Sequence, residues 1–194
     1  MKLAVIRYNA GNVQSVSYAL ERLGVDFVMS DDPETIMGAD KVLFPGVGEA
    51  STTMEYLRKY NLDQLIPALR QPVLGICLGM QLLCRFSEEN NTHCLGIIDT
   101  VVRKFKADET HKVPQMGWNN LVQVRDWIPA QLEQSFAYFV HSYFVPVSEY
   151  TSATCEYGVD FSAAIRHKNF YAVQFHPEKS AATGQLILEA FLKS

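Results

Sequence analysis

The chain lacks the features that mark membrane and nucleic-acid-binding proteins. Its 194 residues contain no run of about 18 apolar residues, so we expect no membrane-spanning segment. The apolar stretch at residues 3–6 is cut short by Arg7, which favours a first strand over a signal peptide. Lys and Arg number 17 against 21 Asp and Glu, giving a net charge of −4. This balance argues against a nucleic-acid or anionic-membrane partner.

Cysteine pairs at metal-binding spacing are also missing. The four cysteines stand at positions 77, 84, 94 and 155 without a CxxC pair, which argues against a zinc site or a secreted disulfide framework. We therefore expect no metal and no cofactor, and a reducing cytoplasm that suits a free thiol. No linker-like, low-complexity or repeated segment divides the chain, so we predict a single domain over residues 1–194.

The apolar pattern predicts an α/β fold with a mostly parallel central sheet flanked by helices. The first 86 residues alternate strand and helix, with a helical stripe that ends at Gly24 and a helical region interrupted by Pro67. The predicted strands of this half are residues 3–6, 25–29, 41–44 and 72–76.

The second half predicts an additional antiparallel strand region followed by one packing helix. Helical periodicity returns only near the end, at Leu186, Ile187, Ala190 and Phe191. The predicted strands before it are residues 97–102, 121–124, 136–145, 163–165 and 171–175.

The segment around Cys77 has the pattern of a nucleophile held on a tight strand-to-helix turn. An apolar strand precedes Cys77, and Gly75 and Gly79 leave room for close backbone packing. The pattern that follows predicts an amphipathic helix, with Leu78, Leu82 and Leu83 on one face and Gln81, Arg85 and Ser87 elsewhere. The start of a helix favours an anion, which would stabilise the thiolate. Taken alone, the pattern GxCxG is equally compatible with an ordinary buried cysteine.

A second motif supplies a base and a carboxylate. His176 and Glu178 lie two positions apart just past an apolar strand, so in extended chain their side chains point the same way. The carboxylate can then accept from one imidazole nitrogen and leave the other facing Cys77. A surface His beside a surface Glu is the alternative for this motif by itself. The two motifs together favour the catalytic interpretation.

The turn at residues 45–48 is a candidate oxyanion hole. Backbone N–H groups near Val47, with the N–H of Leu78, could donate to an oxyanion, and each such donor is typically worth about 3–4 kcal/mol in the transition state. An ordinary turn with two glycines is the alternative. A phosphate-binding loop is disfavoured because no GxxxxGK[ST] or GxGxxG follows a strand here.

These motifs together resemble those of the class I (triad-type) glutamine amidotransferases, which have a flavodoxin-like fold. The strings FPGVG, GICLGMQLL and VQFHPE occur in that family's order. Finer features resemble the glutaminase subunits of imidazole glycerol phosphate synthases: residues 8–12 (YNAGN), 114–119 (PQMGWN), 140–143 (VHSY) and 176–180 (HPEKS). The resemblance runs from the first strand to the last helix. Arg7 and Gln115 depart from the usual pattern of this branch.

The resemblance implies a chemistry. Cys77 would attack the side-chain amide of glutamine, while His176, oriented by Glu178, would protonate the leaving ammonia and then activate water. Residues implied to bind glutamine are Gly48, Gln81, Glu89, Ser142 and Tyr143. Without the family, Glu89 is simply a solvated glutamate, and His141 is assigned to structure or to the pocket rim.

The resemblance also implies a partner, a (β/α)8-barrel cyclase that receives the ammonia in a heterodimer. The implied docking face carries Asn12, Met116, Trp118 and Lys179, although core packing is an equal alternative for Met116 and Trp118. Two other functions stay open: the glutaminase of another synthase (anthranilate, aminodeoxychorismate or pyridoxal phosphate), and a non-catalytic interaction subunit of the same fold.

Overall fold

The computed structural model describes residues 1–8 and 13–194, so the predicted interface residue Asn12 lies outside the described residues. In these ranges the strands are β1 (Leu3–Ile6), β2 (Phe27–Ser30), β3 (Lys41–Gly46), β4 (Val73–Cys77), β5 (Cys84–Ser87), β6 (Thr92–His93), β7 (Ile98–Lys104), β8 (Gln115–Asn120), β9 (Phe136–His141), β10 (Tyr143–Phe144), β11 (Thr151–Glu156), β12 (Asp160–His167) and β13 (Phe170–Val173). The helices are α1 (Val13–Arg22), α2 (Pro33–Met37), α3 (Ala50–Lys59), α4 (Leu62–Ala68), α5 (Leu78–Leu83) and α6 (Ala181–Lys193).

A seven-stranded sheet forms the centre of the fold, in the order β11-β12-β13-β4-β3-β1-β2. Strands β2, β1, β3, β4 and β13 are parallel, and β12 and β11 complete the sheet through antiparallel pairings. The predicted α/β class with a mostly parallel sheet is confirmed. Strand β4 lies between β3 and β13, so the carboxyl ends of these three neighbours bring the three sequence motifs to one edge of the sheet, where ligands bind in open α/β sheets.

Helices cover both faces of this sheet. One apolar cluster includes Leu20 of α1 and Phe191 of α6, and the other includes Met54 of α3, Ile66 of α4 and Leu82 of α5. Because strands buried on both faces need apolar residues at every position, β1, β3 and β4 read as continuous hydrophobic runs. Among the described residues, no helix is both long enough and apolar enough to cross a bilayer.

The additional strand region contains two small sheets: a four-stranded sheet in the order β10-β7-β5-β6 and the hairpin β8–β9. The region is not wholly antiparallel, since β5 and β7 pair in parallel. The prediction of one strand over residues 136–145 is wrong, because β9 ends at His141 and β10 belongs to another sheet. The prediction missed strand β11, whose Thr- and Ser-rich sequence lacks the usual apolar alternation.

The strand predicted at residues 121–124 is also wrong. Gln123 has a left-handed φ of 54°, which turns the chain after Leu121. The N–H groups of Gln123 and Val124 donate to the Glu133 carboxylate at 3.1 and 2.9 Å, so a side chain takes the place of a strand partner. Only Val122 makes a bridge, with Thr154.

The helix after Cys77 is shorter than its pattern predicts. Helix α5 has six residues, all buried, and Arg85 and Ser87 lie on strand β5 instead. The carbonyls of Leu82 and Leu83 accept hydrogen bonds from the N–H groups of Leu95 and Ile97, which replace the bonds a longer helix would make. The amphipathic interpretation of this segment is therefore wrong.

Candidate active site

Cys77 occupies a strained turn between β4 and α5. Its backbone has φ 53° and ψ −109°, a left-handed φ that is costly for a residue with a side chain and recurs at functional sites. The turn is possible because glycines surround it. A Cβ on Gly46 would lie 2.1 Å from the Gly79 nitrogen, and a Cβ on Gly79 would lie 2.1 Å from the Phe44 carbonyl oxygen. Strand β3 and helix α5 thus touch backbone to backbone beside the thiol.

His176 and Glu178 form a buried pair beside this turn. The imidazole Nδ1 lies 2.8 Å from Glu178 Oε1, and the two side chains are 5% and 2% exposed. The carboxylate reaches the ring through a 3-10 turn, Pro177–Lys179, rather than through the extended chain that the sequence predicts. The backbone N–H of His176 donates to the Tyr138 carbonyl at 2.9 Å, which fixes the backbone of the residue that carries the imidazole.

The charge of His176 fits a thiolate–imidazolium pair. Burial lowers the pKa of His176, but hydrogen bonds to Cys77 and Glu178, together with their charges, outweigh burial and raise the pKa to about 10. The imidazole therefore stays protonated at neutral pH. Since Nδ1–H donates to Glu178, the proton on Nε2 faces the sulfur and can be given to a leaving group.

Cys77 and His176 lie in the wall of a cavity of about 350 Å³. The structure brings together in its wall ten residues to which the sequence analysis gave a role: Val47, Gly48, Cys77, Leu78, Gln81, Glu89, Ser142, Tyr143, His176 and Lys179. Pro114, Val140 and His141 complete the lining. This volume suits a single amino acid.

Two of the predicted glutamine contacts are held by the protein itself. The Gln81 amide nitrogen donates to the Tyr143 carbonyl at 2.8 Å and to Gln174 Oε1 at 3.0 Å, which leaves its oxygen as the group free to meet a ligand. Glu89 accepts from the Ala50 N–H at 2.7 Å. Burial raises the pKa of Glu89, as does the Glu49 charge, whereas the Ala50 hydrogen bond opposes the shift.

The candidate oxyanion strand contacts Tyr8, which the sequence analysis gave no chemical role. The buried Tyr8 hydroxyl donates to the Pro45 carbonyl at 2.5 Å. Burial and the Cys77 charge raise the pKa of Tyr8, and the hydrogen bond from the Val47 N–H opposes them. The Tyr8 hydroxyl therefore holds the strand segment that carries the Val47 N–H, the predicted oxyanion donor.

The hairpin β8–β9 presents the predicted docking residues. Met116 is 66% and Trp118 is 53% exposed, so the alternative that they pack in the core is wrong. Phe136, on the other strand of the hairpin, is also exposed. Lys179 is exposed as well, and it lines the mouth of the cavity. Met116 pairs directly with Val140, which lines the cavity, so this apolar face adjoins the cavity rim.

The model of the family "Glutamine amidotransferase class-I" matches residues 4–194. The chain belongs to this family. As a glutamine amidotransferase it is 57% identical to "Imidazole glycerol phosphate synthase subunit HisH" of Bacteroides fragilis strain YCH46, with 100% of both chains covered. It is 54% identical to the HisH subunit of Bacteroides thetaiotaomicron over 99% of both chains.

The solved structures agree with this fold. A crystal structure of a glutamine amidotransferase is 18% identical to this chain with a TM-score of 0.75, covering 98% of this chain and 97% of that one. A chain of PurLQS from Thermotoga maritima is 15% identical with a TM-score of 0.69, covering 99% and 97%. At these identities the likeness supports the architecture alone. The full-length identity to HisH subunits is what places the amidotransferase among the subunits of imidazole glycerol phosphate synthase.

Proposed function

We propose that this chain is the glutaminase subunit of an imidazole glycerol phosphate synthase, in which Cys77, His176 and Glu178 hydrolyse glutamine. The observation that carries the proposal is the buried thiol and imidazolium in the wall of one amino-acid-sized cavity, with the Glu178 carboxylate behind the imidazolium, in a chain 57% identical to HisH subunits. That identity disfavours the glutaminase of another synthase, and the intact triad disfavours a purely binding subunit.

The proposed reaction has two halves. The Cys77 sulfur attacks the side-chain carbonyl carbon of glutamine, the C–N bond breaks, and His176 gives its Nε2 proton to the departing ammonia. A water then attacks the glutamyl thioester, His176 takes a proton from it, and glutamate leaves as the sulfur is released. Glu178 holds the ring in orientation in both halves and stabilises its charged form.

The contacts of the cavity suit glutamine. The free oxygen of Gln81 can accept from an amide or ammonium group, and the Glu89 carboxylate can hold the α-ammonium group. Gly48, Ser142 and Tyr143 lie around the same space. The N–H groups of Val47 and Leu78 would bind the oxyanion, provided that the Val47 peptide turns from Tyr8 toward the cavity.

The ammonia would pass to a (β/α)8-barrel cyclase docked on the exposed face of the hairpin, against Met116, Trp118 and the neighbouring Lys179. The resemblance also implies a contact at Asn12, which lies outside the described residues. Large exposed aromatic and Met side chains are enriched at such interfaces. The cyclase would then form imidazole glycerol phosphate and the purine precursor AICAR, a lyase step in histidine biosynthesis. A free catalytic thiol suits the reducing cytoplasm as the site of this ammonia channelling.

Glutamine turnover with and without the cyclase tests this function. We expect slow glutamate formation by the chain alone and a marked rise when the cyclase and its phosphoribulosyl ligand are both present, because the oxyanion donor at Val47 is then freed. The measurement is glutamate released per chain per second under each condition. Equal rates in all conditions would contradict activation by the cyclase, and no turnover in any condition would contradict the proposed glutaminase function.

Removing the Tyr8 hydroxyl should raise the turnover of the chain alone. In a Tyr8→Phe variant the Pro45 carbonyl loses its donor, a hydrogen bond worth about 1 kcal/mol, so the oxyanion strand can turn more easily and the partner-free rate should rise about fivefold. Tyr157→Phe is the matched control, since the Tyr157 hydroxyl also donates to a backbone carbonyl, that of Lys112, away from the cavity. An unchanged or lower rate in Tyr8→Phe would show that this hydroxyl does not restrain the oxyanion strand.

A further inference from the structure

Gln174, immediately after β13, is fully buried and points its side chain at the nucleophile. Its amide nitrogen lies 3.7 Å from the Cys77 sulfur, within the range of an N–H···S hydrogen bond. Cys77 has a second polar neighbour, the Val140 carbonyl oxygen, at 3.8 Å. A carbonyl can accept only from the protonated thiol, whereas an amide N–H stabilises the thiolate. The two neighbours therefore favour opposite protonation states of the sulfur.

The orientation of the Gln174 amide is fixed by the groups behind it. The Tyr143 carbonyl can only accept, so Gln81 must present its NH2 group there, and the same nitrogen donates to Gln174 Oε1. With its oxygen taken, Gln174 has only its NH2 group to turn toward the sulfur. Gln81 and Gln174 are 4% and 0% exposed, so no solvent competes for these contacts.

The chain of contacts continues to the docking hairpin. The Tyr143 carbonyl also accepts from His141 Nδ1 at 2.7 Å, and Gln115 Oε1 lies 2.8 Å from His141 Nε2. Burial lowers the pKa of His141 to about 4, with the nearby His176 adding to the shift and the Tyr143 hydrogen bond opposing it. The neutral ring carries one proton, and donating it from Nδ1 to the Tyr143 carbonyl leaves Nε2 to accept, which requires the Gln115 amide to turn its NH2 group toward the ring. Gln115 neighbours the exposed Met116 on β8.

We propose that Gln174 is a positioning residue of the glutaminase, whose amide N–H, oriented through Gln81 and the Tyr143 carbonyl, stabilises the Cys77 thiolate and aims it at the substrate. The inference deepens the proposed function and rests on it for its catalytic meaning. The other titratable groups facing the sulfur are the Tyr8 hydroxyl, from the segment after β1, and the His176 imidazolium, which is backed by Glu178. The positive charge of His176 stabilises the thiolate electrostatically, whereas Gln174 stabilises it with a hydrogen bond from an uncharged amide.

The test is the pH dependence of Cys77 alkylation by iodoacetamide in wild type, Gln174→Met and Gln174→Glu. Methionine keeps the length of the side chain but donates nothing. We expect the midpoint of the alkylation profile to shift upward by about one pH unit and kcat to fall about tenfold, with KM for glutamine within a factor of about two. Glutamate replaces the donor with an oxygen that repels the thiolate, so the shift and the loss should be larger.

Gln71→Met is the matched control. The Gln71 amide donates to a backbone carbonyl, that of Ile36, outside the cavity and away from the sulfur, so its variant should keep the wild-type alkylation profile. An unshifted profile in folded Gln174→Met would overturn the proposal. Because alkylation needs no glutamine, a shifted profile in a chain without glutaminase activity would support the Gln174 contact while rejecting the function.

A second measurement uses the wild-type chain, so it tests the contact even where the Gln174 variants fail to fold. In wild type labelled with ¹⁵N, the side-chain amide signals of Gln174 should move when Cys77 is alkylated, whereas those of Gln71 should not. Signals of Gln174 that do not respond to modification of the sulfur would overturn the contact without any substitution of Gln174.

Discussion

Replacing Cys77 by alanine is expected to reduce glutamine hydrolysis by about 10⁴-fold or more, because loss of the nucleophile removes the covalent route entirely. The complex with the cyclase should still make product from free ammonia, since the second reaction takes place in the partner. Alanine keeps the small size of the side chain in the turn, so the fold should survive. The measurements are glutamine-dependent and ammonia-dependent product formation by the same complex.

Cys94→Ala is the matched control for this substitution. Cys94 is a half-buried free thiol that does not line the cavity, so its variant should retain wild-type rates with both nitrogen sources. Loss of both activities in Cys77→Ala would indicate that residue 77 is needed for structure. Full glutamine-dependent activity in that variant would rule out the sulfur as the nucleophile.

Adding one methyl group at Gly79 should be nearly as damaging. The new Cβ would lie 2.1 Å from the Phe44 carbonyl oxygen, which is backbone and cannot rotate away. Strand β3 would have to separate from α5, which we expect to cost about 3 kcal/mol of unfolding free energy and to misalign the oxyanion donors at Val47 and Leu78. Chemical denaturation and glutamine turnover of Gly79→Ala measure the two effects.

Gly24→Ala separates the clash from the general cost of replacing glycine. Gly24 has a left-handed φ of 66° and nothing within 4 Å of its Cβ position, so its variant should lose about 1 kcal/mol and no activity. A Gly79→Ala chain as stable and as active as Gly24→Ala would contradict the close approach of β3 and α5.

The central sheet was predictable because burial on both faces leaves a strong imprint on the sequence. The predicted strand at residues 3–6 matches β1, and the strands predicted at residues 41–44 and 72–76 match β3 and β4 to within two residues at either end. The wrong predictions, of a strand at residues 121–124 and of a longer helix after Cys77, have local physical causes. A left-handed Gln123 and the Glu133 carboxylate interrupt an alternating pattern, and the segment at residues 95–97 captures the carbonyls of α5. Hydrogen bonds between segments distant in sequence leave no periodic pattern in the sequence.

The site was predictable as far as residue type and spacing define it. A thiol in a glycine-bracketed turn and a histidine two positions from a glutamate predict the thiol and imidazole that line the cavity and the carboxylate that holds the imidazole. Gln174 and Tyr8 were not predictable in their contacts, because an amide or phenol near a sulfur depends on which strands become neighbours. The only hint for Gln174 was a polar residue inside an otherwise apolar strand end.

The most direct test is intact-mass analysis after incubation with a glutamine-analogue electrophile. Because the raised pKa of His176 keeps its imidazolium beside the sulfur up to about pH 10, we predict one adduct per chain at Cys77 across pH 7 to 9. Excess glutamine should prevent the adduct, and the cyclase with its ligand should accelerate it. A folded chain that forms no adduct, or forms it on Cys84, Cys94 or Cys155, would contradict the account.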